Sequence, residues 1–134
     1  LVGYRKLDLA PDELIVQFRL LRLPPGGRES WRKLGPRAAQ AISKVMGSYR
    51  GRMEQGRVAQ FAVALGSVAP TAVRLPGLEA WLAGKTVDEA TLAEAETRAA
   101  GEVTPIADIR STAEYRKWVS GRLVRGFLEQ LAGA

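Results

Sequence analysis

From residue 14 to residue 21 the chain alternates: Val16, Phe18 and Leu20 fall on one side of an extended backbone, Gln17 and Arg19 on the other. That period of two predicts a strand over residues 14–21, entered through a short turn at Pro11, Asp12 and Glu13. The next stretch, LPPGGRES from Leu23 to Ser30, holds two prolines, two glycines and a serine and predicts a loop. Between Ile42 and Met53 two periods compete. Ile42, Val45, Met46, Tyr49 and Met53 have helical spacing, whereas Val45, Gly47, Tyr49, Gly51 and Met53 share one side of a strand. Gly47 and Gly51 count against the helix. Further on, Ala59, Phe61, Val63 and Leu65 alternate with Gln60, Ala62 and Ala64, and a tight turn at Gln55 and Gly56 would join the two runs. Strand, turn, strand accounts for both halves.

Beyond Gly66 the pattern turns helical. Pro76 and Gly77 precede LEAWLAG, a short helix that Gly84 would end. Thr86 with Glu89 has capping-box spacing for a helix running to about Ala100 and stopped by Gly101, and Ser111 with Glu114 repeats the device before the longest helix. There Tyr115, Trp118, Val119, Leu123, Phe127, Leu128 and Leu131 make an apolar stripe, with Arg116, Lys117, Arg122 and Arg125 on the remainder. Strands first and helices after predict an α+β fold: a small antiparallel sheet of three to four strands with three helices packed on one face. A length of 134 residues suits a single domain, 1–134, with one core. No internal repeat is visible. The chain opens on Leu1 with nothing that would anchor a natural terminus, so it reads as a piece of a longer polypeptide.

Composition narrows the chemistry. With no cysteine and no histidine, disulfides, thiolate metal sites, iron–sulfur ligation, a cysteine nucleophile and the usual general base are all excluded. No apolar run approaches the ~20 residues of a membrane span, and the chain reads as soluble and cytoplasmic. The net charge of +6 is unevenly placed. Arg28, Arg32, Lys33, Arg37, Lys44, Arg50 and Arg52 face only Glu29 within their window, so that window holds the whole excess. A basic sector of this kind suggests an anionic partner: nucleic acid, a phosphate-bearing cofactor or an acidic subunit.

Walker, GxGxxG, GxSxG and zinc-ligand spacings are absent. Asp108, in PIADIRS, has no second carboxylate beside it and reads as a turn or helix-start residue rather than a catalytic acid. Trp81 and Trp118 read as packing residues on helices. Trp31 differs, because it lies beside the Gly-rich stretch and among cations, where an exposed aromatic suits docking against a flat ring.

The ordered phrases LAPDELIVQFRL, RKLGPRAAQAISKV, VALGSVAPTAVRL, EAWLAGK and VTPIADIRSTAEYRKWVSGRLVRGFLE resemble the C-terminal domain of the FAD-binding (medium) subunit of molybdenum hydroxylases, the family of xanthine dehydrogenase and aerobic carbon monoxide dehydrogenase. The most specific parts are KLGPR with AISKV, the ALGSVAPT turn, and Asp108, Arg110, Ser111, Tyr115 and Arg116 in D-x-R-S-x-x-x-Y-R. The resemblance implies an accessory domain of an oxidoreductase, with no catalytic site of its own. It implies FAD held mainly by N-terminal domains of the same subunit, molybdenum cofactor in a large partner subunit, and iron–sulfur clusters in a small one. Electrons would pass from the clusters through FAD to NAD or oxygen. The resemblance also favours the strand over the helix for residues 42–53, and implies that residues 23–33 form a loop near the flavin ring. On that basis Trp31, Lys33 and Arg37 are the candidate cofactor-binding residues, the two cations standing near a ring that gains negative charge on reduction. The open alternative for Arg37 is a brace of the sheet through buried hydrogen bonds. An independent nucleic-acid-binding module remains the competing function, although recognised nucleic-acid motifs are missing.

Overall fold

The computed structural model describes residues 2–133. Four strands form one antiparallel sheet in the order β1 (Gly27–Leu34), β2 (Val45–Glu54), β3 (Arg57–Gly66), β4 (Val73–Arg74), and three helices follow: α1 (Pro76–Leu82), α2 (Glu89–Gly101) and α3 (Ala113–Leu131). The α+β expectation holds. So does the hairpin: Gln55 and Gly56 both take positive φ, 49° and 74°, the mirror-image turn whose twist matches the flanking strands.

Tertiary packing explains why period two defeats the helical spacing in β2. Val45, Gly47, Tyr49 and Gly51 are buried, while Met46 and Ser48 between them are exposed. The Tyr49 ring stacks on Phe127 of α3 with centroids 5.3 Å apart. It leans over Gly47, where any Cβ would collide with the tyrosine hydroxyl, and a Cβ at Gly51 would strike Leu131. Gly47 is therefore clearance for the Tyr49 ring and Gly51 for α3, rather than interruptions of a helix. Burial raises the pKa of the Tyr49 phenol strongly, against a smaller lowering by Arg32, and the hydroxyl has no hydrogen-bond partner. Inward residues of the sheet and buried residues of all three helices (Leu78 and Leu82; Leu92, Ala95 and Ala99; Val119, Val124, Phe127, Leu128 and Leu131) form one core.

Several expectations are corrected. Residues 14–21 form no strand and, among the described residues, make no ladder; Leu14, Val16, Phe18 and Leu20 are exposed. The expected loop over residues 23–30 gives way to β1 at Gly27, because pairing with β2 from Gly27↔Arg52 to Leu34↔Val45 supplies ladder bonds that the local sequence does not suggest. In β3 it is Val58, not Ala59, that turns inward, since the β2–β3 register shifts between Arg52 and Met53.

Both capping boxes are displaced. The N-cap of α2 is Asp88, whose carboxylate accepts from Thr91 N at 2.8 Å, and that of α3 is Thr112, whose hydroxyl accepts from Tyr115 N at 3.2 Å. The stripe on α3 is rotated too. Tyr115 and Trp118 are exposed, whereas Arg116, assigned to the polar side, is 4% exposed. Trp81 does pack on the core, with Lys85 and Arg98 over its ring.

Candidate functional site

The pleat of β1 sorts its side chains. Arg28 donates to the Gln130 carbonyl of α3 at 2.8 Å, and Leu34 packs on the core, so the even positions face the helices. Trp31 and Lys33 therefore lie on the opposite face, which no helix covers; Trp31 is 69% exposed. Register places Ser48 opposite Trp31, and Ala64 opposite Ser48, so small side chains continue the surface beside the indole.

The connection from β1 to β2, residues 35–44, folds back toward this face. Lys44 N donates to Leu34 O at 2.8 Å and closes its base. Within it Arg37 donates through Nε to Ala39 O at 3.1 Å and through Nη2 to Gln40 O at 2.7 Å. Gln40 holds a left-handed φ of 49°, a conformation that costs on the order of 1 kcal/mol for a non-glycine residue, and the arginine fixes its carbonyl. Trp31, Arg32, Lys33, Arg37, Gln40 and Ala41 line the resulting recess of about 350 Å³. Trp31, Lys33 and Arg37, the three residues singled out in the sequence, thus meet at one concavity. Their setting differs from expectation in one respect, since Trp31 and Lys33 sit on a strand rather than a loop.

Arg37 does not brace the sheet. It is exposed and, among the described residues, its guanidinium bonds only to its own loop. That bracing role belongs to Arg116, which the sequence pattern misplaced. Its Nη1 donates to Lys44 O at 3.0 Å and Ser67 O at 2.7 Å, and its Nη2 to Asp108 Oδ1 at 2.8 Å, tying the start of β2, the exit of β3 and the loop before α3. Asp108 also accepts from Arg110 N and Ser111 N, so the expected turn role holds. The Arg110 amide, with the Arg116 and Arg110 side chains, outweighs desolvation and lowers the Asp108 pKa to about 2. The available signal was the D-x-R-S-x-x-x-Y-R spacing, which sets Asp108 and Arg116 eight residues apart.

The basic window does not form a continuous strip. Arg28 and Arg32 lie toward α3, Arg50 donates to Arg22 O at 2.6 Å, Arg52 pairs with Glu54, and Lys44 stands over the Tyr115 ring. Among the described residues, Arg32 and Lys33 make no ion pair, and no group of three or more carboxylates could hold a metal ion. Among the described residues no helix is long and apolar enough to cross a membrane. What the recess offers is one flat aromatic face and cations to spare, which fits a planar ligand carrying negative charge.

The profile described as the CO dehydrogenase flavoprotein C-terminal domain matches residues 30–131. The carbon monoxide dehydrogenase medium chain of Hydrogenophaga pseudoflava is 28% identical over 121 residues, taking in 87% of this chain and 40% of that one. The chain thus spans well under half the length of this curated relative. A structure of carbon monoxide dehydrogenase from the same organism, lacking the Mo-pyranopterin moiety, superposes with a TM-score of 0.72 at 27% identity, over 78% of this chain and 36% of that one. Reconstituted CO dehydrogenase from Oligotropha carboxidovorans gives 0.75 at 24% identity over 82% and 38%, and quinoline 2-oxidoreductase from Pseudomonas putida 86 gives 0.71 at 24% over 81% and 38%. The last two likenesses establish the fold alone.

Proposed function

Because the chain belongs to the CO dehydrogenase flavoprotein C-terminal domain family, we propose that it is the C-terminal accessory domain of the FAD subunit of a molybdenum hydroxylase, flanking a flavin that preceding domains of the same subunit hold. A xanthine dehydrogenase parent gains no support from the relatives above, which are carbon monoxide dehydrogenases and a quinoline oxidoreductase. The supporting observation is the exposed Trp31 that lines, with Lys33 and Arg37, one open recess on the uncovered sheet face. A recess of this openness can flank a ring and cannot enclose a dinucleotide. FAD, when bound by the neighbouring domains, supplies the passage of electrons from iron–sulfur clusters of a small subunit, themselves fed by a molybdenum-bearing large subunit, to NAD or oxygen.

This chain's residues act from the side. Trp31 would offer its exposed indole to a flavin held by the neighbouring domains and would exclude water there. Lys33 and Arg37 lend positive potential to a ring that gains negative charge on reduction, which raises the reduction potential. Arg37 also holds the 35–44 loop in the shape that forms the rim, so its loss changes both charge and access.

The test uses the full-length subunit. Replacing Lys33 or Arg37 by alanine should lower the flavin potential by roughly 30 mV, the two-electron equivalent of ~1.4 kcal/mol. Trp31→Ala should alter acceptor kinetics with little change in flavin content. Unchanged potential and unchanged acceptor kinetics in all three variants would remove the assignment.

A further inference from the structure

Between β1 and α3, on the face of the sheet opposite Trp31 and Lys33, lies a cleft of about 70 Å³. Ser30 and Arg32 approach it from the strand, Arg122, Gly126 and Gln130 from the helix, and Tyr49 forms its floor. Register and packing place the phenol. Tyr49 stands opposite Ser30 across the ladder, and its ring leans over Gly47, the partner of Arg32, so its hydroxyl ends at the rung of Arg32. The residue is 2% exposed and that hydroxyl has no hydrogen-bond partner. Burial keeps the phenol protonated, so an unused donor lies beside a cation. A buried donor left unpaired is costly, and it calls for an acceptor.

The charge around the cleft is unbalanced. Arg32 makes no ion pair among the described residues, and Arg28 donates through Nη1 to the Gln130 carbonyl at 2.8 Å. Arg122 meets Glu96 at 3.3 Å and stays half exposed, and among the described residues Glu96 is the only carboxylate paired with these three arginines. Gly126 is a second, independent sign. Helix interiors disfavour glycine, and elsewhere in α3 Gly121 has a packing reason, because a Cβ there would strike the Glu96 carbonyl. At Gly126 an added Cβ would meet nothing within 4 Å. The missing side chain keeps the cleft open and serves no contact within the chain.

We propose that this cleft binds one small anion, a halide or a carboxylate of formate size, held between the Arg32 and Arg122 guanidiniums with the Ser30 and Tyr49 hydroxyls as further donors. Charge-assisted bonds of this kind are the strong ones. The anion ties β1 to α3 beside the Arg28–Gln130 bond and fastens from behind the strand that carries Trp31 and Lys33 on its other face. It does so whether or not a flavin lies against that face.

Chloride is the probe. With the 134-residue chain, at an ionic strength held constant by a bulky sulfonate salt, the chloride NMR line should broaden in proportion to protein, and formate should reverse the broadening. Arg32→Gln should weaken chloride binding roughly tenfold or more, because it removes a charged donor. Gly126→Ala puts a methyl group into the cleft and suits the helix. It should abolish the broadening while melting, without chloride, no lower than the parent. Chloride should raise the melting temperature of the parent and leave that of Gly126→Ala where it is. A parent that does not broaden the line would overturn the proposal. Equal broadening by the parent, Arg32→Gln and Gly126→Ala would overturn it too, since chloride would then reside among the surface cations at large.

Discussion

Two arginines shape loops at the same end of the sheet, and they do it with opposite consequences. Arg116 is 4% exposed and its guanidinium gathers Lys44, Ser67 and Asp108, which are far apart in sequence. Arg37 is exposed and its guanidinium gathers Ala39 and Gln40, its own near neighbours. A donor that joins distant segments inside the protein becomes part of the fold, since its removal takes a partner from each of the Lys44 and Ser67 carbonyls and from the Asp108 carboxylate at once. A donor that folds its own loop in solvent shapes a surface and leaves the core indifferent. The contrast separates a structural junction from a candidate functional rim.

The largest effect should come from Asp108→Ala. It takes the carboxylate away from the buried Arg116 guanidinium and from the Arg110 and Ser111 amides, and should lower the urea midpoint more than Arg37→Ala, which should cost under about 1 kcal/mol. Equal losses would erase the contrast. Next, Gly47→Ala should cost about 1–3 kcal/mol, because the added methyl drives Tyr49 off its seat against Phe127. A loss of that size would show that the inner face of β2 is as intolerant as the Arg116 junction it adjoins.

Acid sharpens the comparison further. The Asp108 pKa is depressed on folding, to about 2, so its contribution is complete above its ordinary value of about 4 and is lost as pH falls from there towards 2. Stability curves of the protein and of Asp108→Asn should therefore converge across that window, whereas those of the protein and Arg37→Ala should stay parallel. Smallest of all, Trp31→Ala should leave unfolding within about 0.5 kcal/mol, as expected for an exposed side chain whose work is done against a partner.

What could be read in advance follows the range of the interactions. The Gln55–Gly56 turn was legible because positive φ at two successive positions is a local demand that Gly56 meets well. β3 was legible because one half-buried strand writes period two into its own residues. β1 was not, since GRES has the composition of a loop and becomes strand only through bonds donated by β2. The helix caps were off by one or two positions because Thr86 and Ser111 have capping-box spacing to Glu89 and Glu114, while the caps formed are Asp88 and Thr112, which cap through their own side chains without that box. For the site, Trp31, Lys33 and Arg37 were legible as residues, but their convergence on one recess depends on the fold-back of residues 35–44.

By itself, then, the sequence determined the α+β class, the hairpin, the presence of three helices and the lack of thiol or imidazole chemistry, because each depends on residue type or on spacing within a few turns of chain. The tertiary structure alone decided which side of α3 is buried, that Arg116 rather than Arg37 braces the sheet, and that residues 14–21 stand without a partner. Those outcomes turn on contacts between segments tens of residues apart. The free energy of a buried ion pair or an unpaired strand depends on what lies across from it, which no local pattern records.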